Sequence, residues 1–525
     1  MTCLFLALLL AASGFAQTPA SRQVTDGYRR QSGFDVLHYN LNLSVSDTSN
    51  VIHGRAQLTI LRRDRQESTL ALDCKNLTIT ALQVQAQTVK YLLQAEQLEM
   101  VLPPGGDTLD VAIEYRGEPK DGLDIRQNKI NRRTFFADNW PDRARNWFPG
   151  IDHPNDKATV EFHINAPERY TVVANGQLER EQHNLNGTKT WSWREAAPIP
   201  TYCMVFGAAE FAVLHLGEVE NVPVSYYVFP GDAGAAVKNF GRTALMLQFF
   251  SKNIGPYPYE KLALVQSSTR FGGMENSSAI FFAETVPVSA SAEGTNAHEV
   301  AHQWFGDAVT EADWHHLWLS EGFATYFAAL FYEHADGIEM FREKMRANRD
   351  SYFEFARKKL APILDTTVTR YFDLLNGNNY SKAAWVLHML RQQVGTENFW
   401  QGIREYYRVY KNGNAWTEDF RRVMESASGQ KLDWFFQQWL RQPGHPVLQQ
   451  HWRWLPKEKA IALTLRQTQP EAFFRLPLEV EITSDGRKTR QKIWMEKAEA
   501  YFELRHEAKP EQIILDPDEK ILMLK

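Results

Sequence analysis

A chain of 525 residues is several times the size of one ordinary domain, so it divides into two to four units, each large enough to bury a core. Hydrophobic residues at 44%, charged residues at 23% and a formal net charge of −5 exclude a disordered or nucleic-acid-coating chain, and no nucleic-acid partner is expected. The basic cluster Arg62, Arg63 and Arg65 is interrupted by Asp64 and flanked by Glu67, which reads as a solvated strand end.

At the N-terminus, Leu4 to Ala12 form a short apolar run followed by Ser13, Gly14, Phe15 and Ala16, the small-residue pattern that a signal peptidase reads. Residues 1–16 are therefore expected to be a signal peptide, although only the terminal amine supplies the positive charge before the run. The mature chain would begin near Gln17 and be exported, periplasmic or extracellular, as a soluble protein. No later run approaches the roughly 18 apolar residues of a membrane span, so no integral membrane segment is expected after leader removal. Removal also takes Cys3. The remaining Cys74 and Cys203 pair only if the fold brings them together, and are otherwise buried free thiols.

Residues 17–211 alternate in short segments such as "HYNLNLSV", "TLDVAIEY" and "ATVEFHI", punctuated by Gly, Pro, Asn and Asp, and are expected to be an all-β domain. From 212 to 443 the texture turns helical in "AAVKNFGRTALMLQFFSKNI", passes through a strand pair near Leu262 to Phe282, and continues in long helices. Alternation returns after "RQPGHP", so residues 444–525 should form a small β-sandwich. The fold class is multi-domain α+β.

The segment "NAHEVAHQWFGD" places His298 and His302 four residues apart on a helical pattern, so both imidazoles project from one face toward one ion. The next helical pattern carries Glu321, with eighteen residues between it and His302. Two neutral imidazoles and one carboxylate suit Zn²⁺ and leave a fourth position for water, so one zinc per chain is expected. Glu299 lies beside the ligands as a general base. Thr325, on Glu321's face, either orients a ligand or packs the helix. Asp307 and Asp313 are either acids that support the ligands or, the favoured reading, ordinary loop or cap acids, and the adjacent His315 and His316 lack helical register with His298 and are treated as non-ligands.

These residues resemble the M1 family of zinc aminopeptidases. "HEVAHQWFGDAVT" and "WLSEGFATY" are similar to its metal signature, and "GGMEN" at Gly272 to Asn276 to its substrate-recognition signature. "NYSKAAWVLHML" puts Tyr380 in the position of the family's catalytic tyrosine, and "QWLRQPGHPVL" resembles its domain junction. The resemblance implies a saddle-shaped β domain, a thermolysin-like catalytic domain and a β-sandwich, acting on peptide substrates. It gives Gly272, Gly273 and Met274 the task of pairing with an extended peptide, while Glu275 offers a carboxylate to the peptide's α-ammonium. An internal peptide bond would leave Glu275 desolvated and unpaired, so the implied activity is removal of the N-terminal residue. Glu299 then serves the water and Tyr380 the oxyanion.

Two departures stand out. Around "FADNWPDRARNWFPGIDHP" the family's usual Gln and acidic or Gln pair is replaced by Asp138 and Trp140; Asp138 is either a second carboxylate at the ammonium or a structural loop acid. The expected form is also the three-domain one, without the large C-terminal helical domain of many members, which implies a more open cleft. Two rival readings share parts of the pattern: a thermolysin-type endopeptidase, which has no use for Glu275 at an amine, and a non-catalytic module, against which the intact His298, Glu299, His302, Glu321 and Tyr380 argue. Oligomeric state is not encoded in these motifs.

Overall fold

The computed structural model describes residues 23–525; the leader expected at residues 1–16 lies outside them. The N-terminal part is built on an eight-stranded sheet. Its strand Lys157–Pro167 alternates buried and half-buried residues without a break, runs parallel to Phe34–Ser44, and pairs antiparallel with Thr188–Pro200. That alternation is what a sheet with one face on the core and one toward solvent imposes on a period of two. A four-stranded sheet beside it includes Arg133–Ala137, whose end launches the loop that carries Asp138 and Trp140. Within the basic cluster, Arg63 pairs with Asp35 at 2.5 Å and Arg65 with Asp107 at 2.6 Å at the surface, as a solvated strand end would, whereas Arg62 is buried and donates to the Pro103 carbonyl at 3.2 Å.

The strand pair expected near Leu262 to Phe282 is a set of three. Leu262–Ser267 and Ala279–Ala283 run parallel, and the two-residue strand Gly273–Met274 pairs antiparallel with the latter, Gly273 opposite Phe282 and Met274 opposite Phe281. A two-residue strand is too short to show alternation in sequence. It closes a five-stranded sheet as its edge, so its outer backbone groups remain open to an incoming strand. Leu262–Ser267 is buried at every position, as expected for a parallel strand covered on both faces.

Helices dominate the middle of the chain. Ala292–His302 packs against Trp318–Asp336, whose residues are buried nearly all round, which is why its sequence shows so little amphipathic contrast. The helix Ala383–Val394 crosses close to it at Gly322, where an added Cβ would meet the Ala383 Cβ at 2.4 Å. After Arg441 the chain forms two three-stranded antiparallel sheets whose inward residues, among them Leu463, Leu465, Val480, Ile482 and Ile493, join one apolar core.

A segment at Thr25–Arg30 straps the first β domain to the helical one. Asp26 accepts from His153 Nε2 at 2.7 Å and from Arg30, and also from the backbone N–H of Trp314. Cys74 and Cys203 are both buried free thiols, and Cys203 Sγ donates to Asp307 Oδ1 at 3.4 Å. No helix among the described residues is long and apolar enough to cross a membrane.

Candidate active site

His298 and His302 sit one turn apart, with their Nε2 atoms 3.0 Å from each other, and Glu321 Oε2 lies 3.2 Å from both. His302 Nδ1 donates to the Phe305 carbonyl at 3.0 Å, with Ser320 Oγ 3.1 Å away, so its Nε2 carries a lone pair directed at the same point. The loop that closes beneath His302 needs Gly306, whose φ is +112° and whose Cβ would fall 2.4 Å from Ser320 Oγ.

Two imidazole nitrogens and a carboxylate oxygen converging without a proton to bridge every pair is an arrangement that a cation satisfies. Ligands about 2.0–2.1 Å from a tetrahedral zinc stand about 3.3 Å apart, within a few tenths of an ångström of the spacing here. The electrostatics agree. Burial disfavours charge on His302, yet Glu275, Glu321 and Glu299 raise its pKa well above the ordinary imidazole value, so a proton competes with a metal ion for Nε2 and the carboxylates demand positive charge at that point. Burial likewise opposes the Glu321 carboxylate, but His302 and His298 hold it well below the usual carboxylate range. The residues present fit zinc.

A cavity of about 400 Å³ opens onto this triad. Glu299, Glu275 and Tyr380 line it, together with Gly272 and with Gly273 and Met274 of the edge strand. Burial pushes the Glu299 carboxyl well above its ordinary value, with Glu275 and Glu321 adding to the shift, which makes it a strong proton acceptor when ionised. Its carboxylate packs on the edge strand, where a Cβ at Gly273 would lie 2.3 Å from Glu299 Oε1. Glu275 is pushed up to about 7, mainly by burial, and among the described residues no Lys or Arg lies within ion-pair distance of it. Tyr380, in a π-helical turn at Asn378–Lys382, donates to Glu321 Oε1 at 2.6 Å and stacks on the His298 ring at a centroid distance of 5.9 Å.

Asp138 lies elsewhere. Its carboxylate is 2.9 Å from Arg143 Nη2 and accepts from Arg270 Nε at 3.3 Å, and it lines a separate cavity of about 260 Å³. Of the two readings of Asp138, these partners favour the structural loop acid over a second carboxylate at the amine. The reason is local: Asn139 binds the carbonyls of Thr201 and Met204 and accepts from Trp147 Nε1, pinning the loop so that Trp140, not Asp138, reaches the cleft. Thr325 donates to the backbone carbonyl of Glu321 at 2.7 Å and so serves its helix. Asp313 caps the turn at Trp314–His316 through His315 N. His315 Nε2 meets the Val368 carbonyl and His316 Nδ1 meets Thr417 Oγ1, both away from the triad.

Sequence reasoning missed Gln303. Its side chain donates to the Glu275 carbonyl at 2.5 Å and to Asp307 at 2.8 Å, and accepts from Ser278 N at 2.8 Å and from Tyr257 at 3.0 Å. It thus ties the metal helix to the strand that presents Glu275. Its position directly after His302 was the available signal.

Two family models match the chain: the Peptidase M1 N-terminal domain over residues 36–203 and the Peptidase family M1 domain over residues 239–439. Together they cover more than half of it. The chain belongs to peptidase family M1. Among solved structures, this M1 chain is similar to an M1 zinc metallopeptidase from Deinococcus radiodurans, with a TM-score of 0.68 and 27% identity, covering 78% of this chain and 94% of that one. A mutant of that protein bound to a Tyr-Ser-Ala substrate matches equally, at TM-score 0.68 and 27% identity, over 78% of this chain and 95% of that one. Curated relatives include a probable aminopeptidase 1 of Saccharolobus solfataricus, 27% identical over 73% of this chain and 51% of that protein. The glutamyl aminopeptidase of Homo sapiens is 30% identical over 67% of this chain and 39% of that protein. This M1 chain therefore spans about half, or less, of the length of these curated relatives.

Proposed function

We propose that this chain is a zinc aminopeptidase, with one zinc per chain, that hydrolyses the first peptide bond of peptides carrying a free α-amine. The observation that carries this reading is Glu275: a buried carboxylate with no Lys or Arg partner among the described residues, directly after the edge strand Gly273–Met274, in the same cavity as the metal triad. A buried anion of this kind costs stability until a cation meets it, and an α-ammonium supplies that cation.

The open edge at Gly273–Met274 lies where a substrate backbone can add as a further strand, with its amine toward Glu275. His298, His302 and Glu321 would hold the zinc, which when bound would supply Lewis acidity to a water and to the scissile carbonyl. Glu299 accepts the water's proton and later delivers it to the departing amine, a role its elevated proton affinity supports. The Tyr380 hydroxyl, now on Glu321, turns to the developing oxyanion, a contact typically worth about a hundredfold to a thousandfold in rate. Export rests on the apolar run Leu4–Ala12 and the small residues after it.

The test is a panel of aminoacyl reporters with free and acetylated amines, assayed on the wild type, Glu299→Gln and Glu275→Ala. Near-complete loss is expected for the first variant and a large loss for the second, with acetylated reporters uncut by the wild type. Full activity in Glu299→Gln refutes the mechanism, and equal cleavage of acetylated reporters refutes the aminopeptidase assignment in favour of an endopeptidase.

A further inference from the structure

Four apolar side chains share the cavity with the reacting groups: Trp140, Phe271, Met274 and Leu375. Trp140 stands apart because it is the lining residue that comes from the N-terminal β domain. It is 3% exposed, and its ring meets those of Phe271, Phe372 and Trp314 edge-on at centroid distances of 6.0, 5.4 and 5.5 Å. Three such contacts leave the indole one position, so it acts as a fixed wall.

The charges at the cavity are one-sided. Glu275, Glu299 and Glu321 line it, and among the described residues no Lys or Arg does. The nearest guanidinium groups in sequence are already engaged, Arg143 by Asp121 and Asp138, and Arg270 by the same two acids. With zinc met by Glu321 and the substrate ammonium by Glu275, the lining offers no further cation to an acidic side chain.

Resting on the aminopeptidase reading, we infer that Trp140 is a specificity-determining residue, and that the cavity takes peptides with a large apolar first residue and rejects those beginning with an acidic one. A desolvated carboxylate at that position would face an indole and a lining of Glu275, Glu299 and Glu321 with no Lys or Arg to receive it, whereas an apolar side chain exchanges water for ring contact. This separates the chain from those of its relatives that are named glutamyl aminopeptidases.

The experiment compares kcat/KM of the zinc-loaded protein on Phe, Leu, Ala and Glu fluorogenic amides for the wild type, Trp140→Ala and Trp140→Leu. The wild type is expected to favour Phe and Leu over Glu by at least about 100-fold, and Trp140→Ala to lower the Phe-to-Ala ratio by about 10- to 100-fold. Trp140→Leu, which keeps apolar bulk against Phe271 and Phe372, shifts that ratio in the same direction by less and serves if the Ala variant fails to fold. A wild type that cuts Glu as well as Phe, or a Phe-to-Ala ratio unchanged in either variant, overturns the inference while the aminopeptidase reading stands. A wild type that cuts no free-amine reporter overturns both.

Discussion

Gly322→Ala tests whether helix spacing sets the catalytic geometry. Gly322 follows Glu321 directly, and the Cβ of an alanine there would sit 2.4 Å from the Ala383 Cβ and 3.3 Å from both the Ala383 carbonyl carbon and Asn379 O. None of these is the tip of a flexible side chain, so restoring ordinary carbon contact requires the two helices to separate by about 1 Å. Tyr380 lies three residues before Ala383, and its 2.6 Å contact with Glu321 spans this same interface. A displacement of about 1 Å at reacting groups costs about 100-fold in rate. Stability responds less, because overpacking costs about 1–3 kcal/mol while replacing a mid-helix glycine by alanine returns about 1 kcal/mol. The assay is kcat/KM on a leucine reporter, with zinc content and thermal melting measured on the same preparations. The expected result is a loss of about 100-fold with a melting shift of a few degrees. Activity within twofold of wild type would show that the helices re-space without moving Glu321 or Tyr380, and the reasoning fails.

Gln303→Leu should keep zinc and raise KM for free-amine reporters, because Glu275 loses its backbone anchor; the buried Ser278 N–H and Asp307 left behind should also lower the melting temperature, each unpaired group costing about 1–3 kcal/mol. Chelation should abolish hydrolysis and lower the melting temperature, with added zinc restoring both, as for any ligand that binds the folded state alone. Asp156 is buried, has one oxygen without a hydrogen-bond partner, and is pushed up to about 8 from 3.8 by burial, with Asp35 adding to the shift. The native state therefore holds a proton that the unfolded chain has released, so stability should fall as pH rises from about 4 to 8, and Asp156→Asn should flatten that slope in pH-resolved melts.

The candidate metal ligands were legible in the amino-acid sequence, because helix periodicity puts His298 and His302 on one face and Glu321 stands in the next helical pattern. Adjacency pointed to Glu299 and alternation to the β, helical, β texture, whereas the motif that holds Glu275 was legible only through the resemblance to the M1 family. What the sequence left open for Asp138 and Trp140 depended on a loop with no repeat to read. Those two residues stand two apart in an irregular segment, and their directions are set by distant partners: Asn139 reaches Thr201 and Met204, and Arg270 draws Asp138 aside. Gln303 and Gly322 were opaque for the same reason, since their work is done against residues far along the chain. Periodic structure reports its own facing residues locally, whereas loop direction, helix spacing and the charge balance of a cavity are properties of contacts made only once the chain has folded.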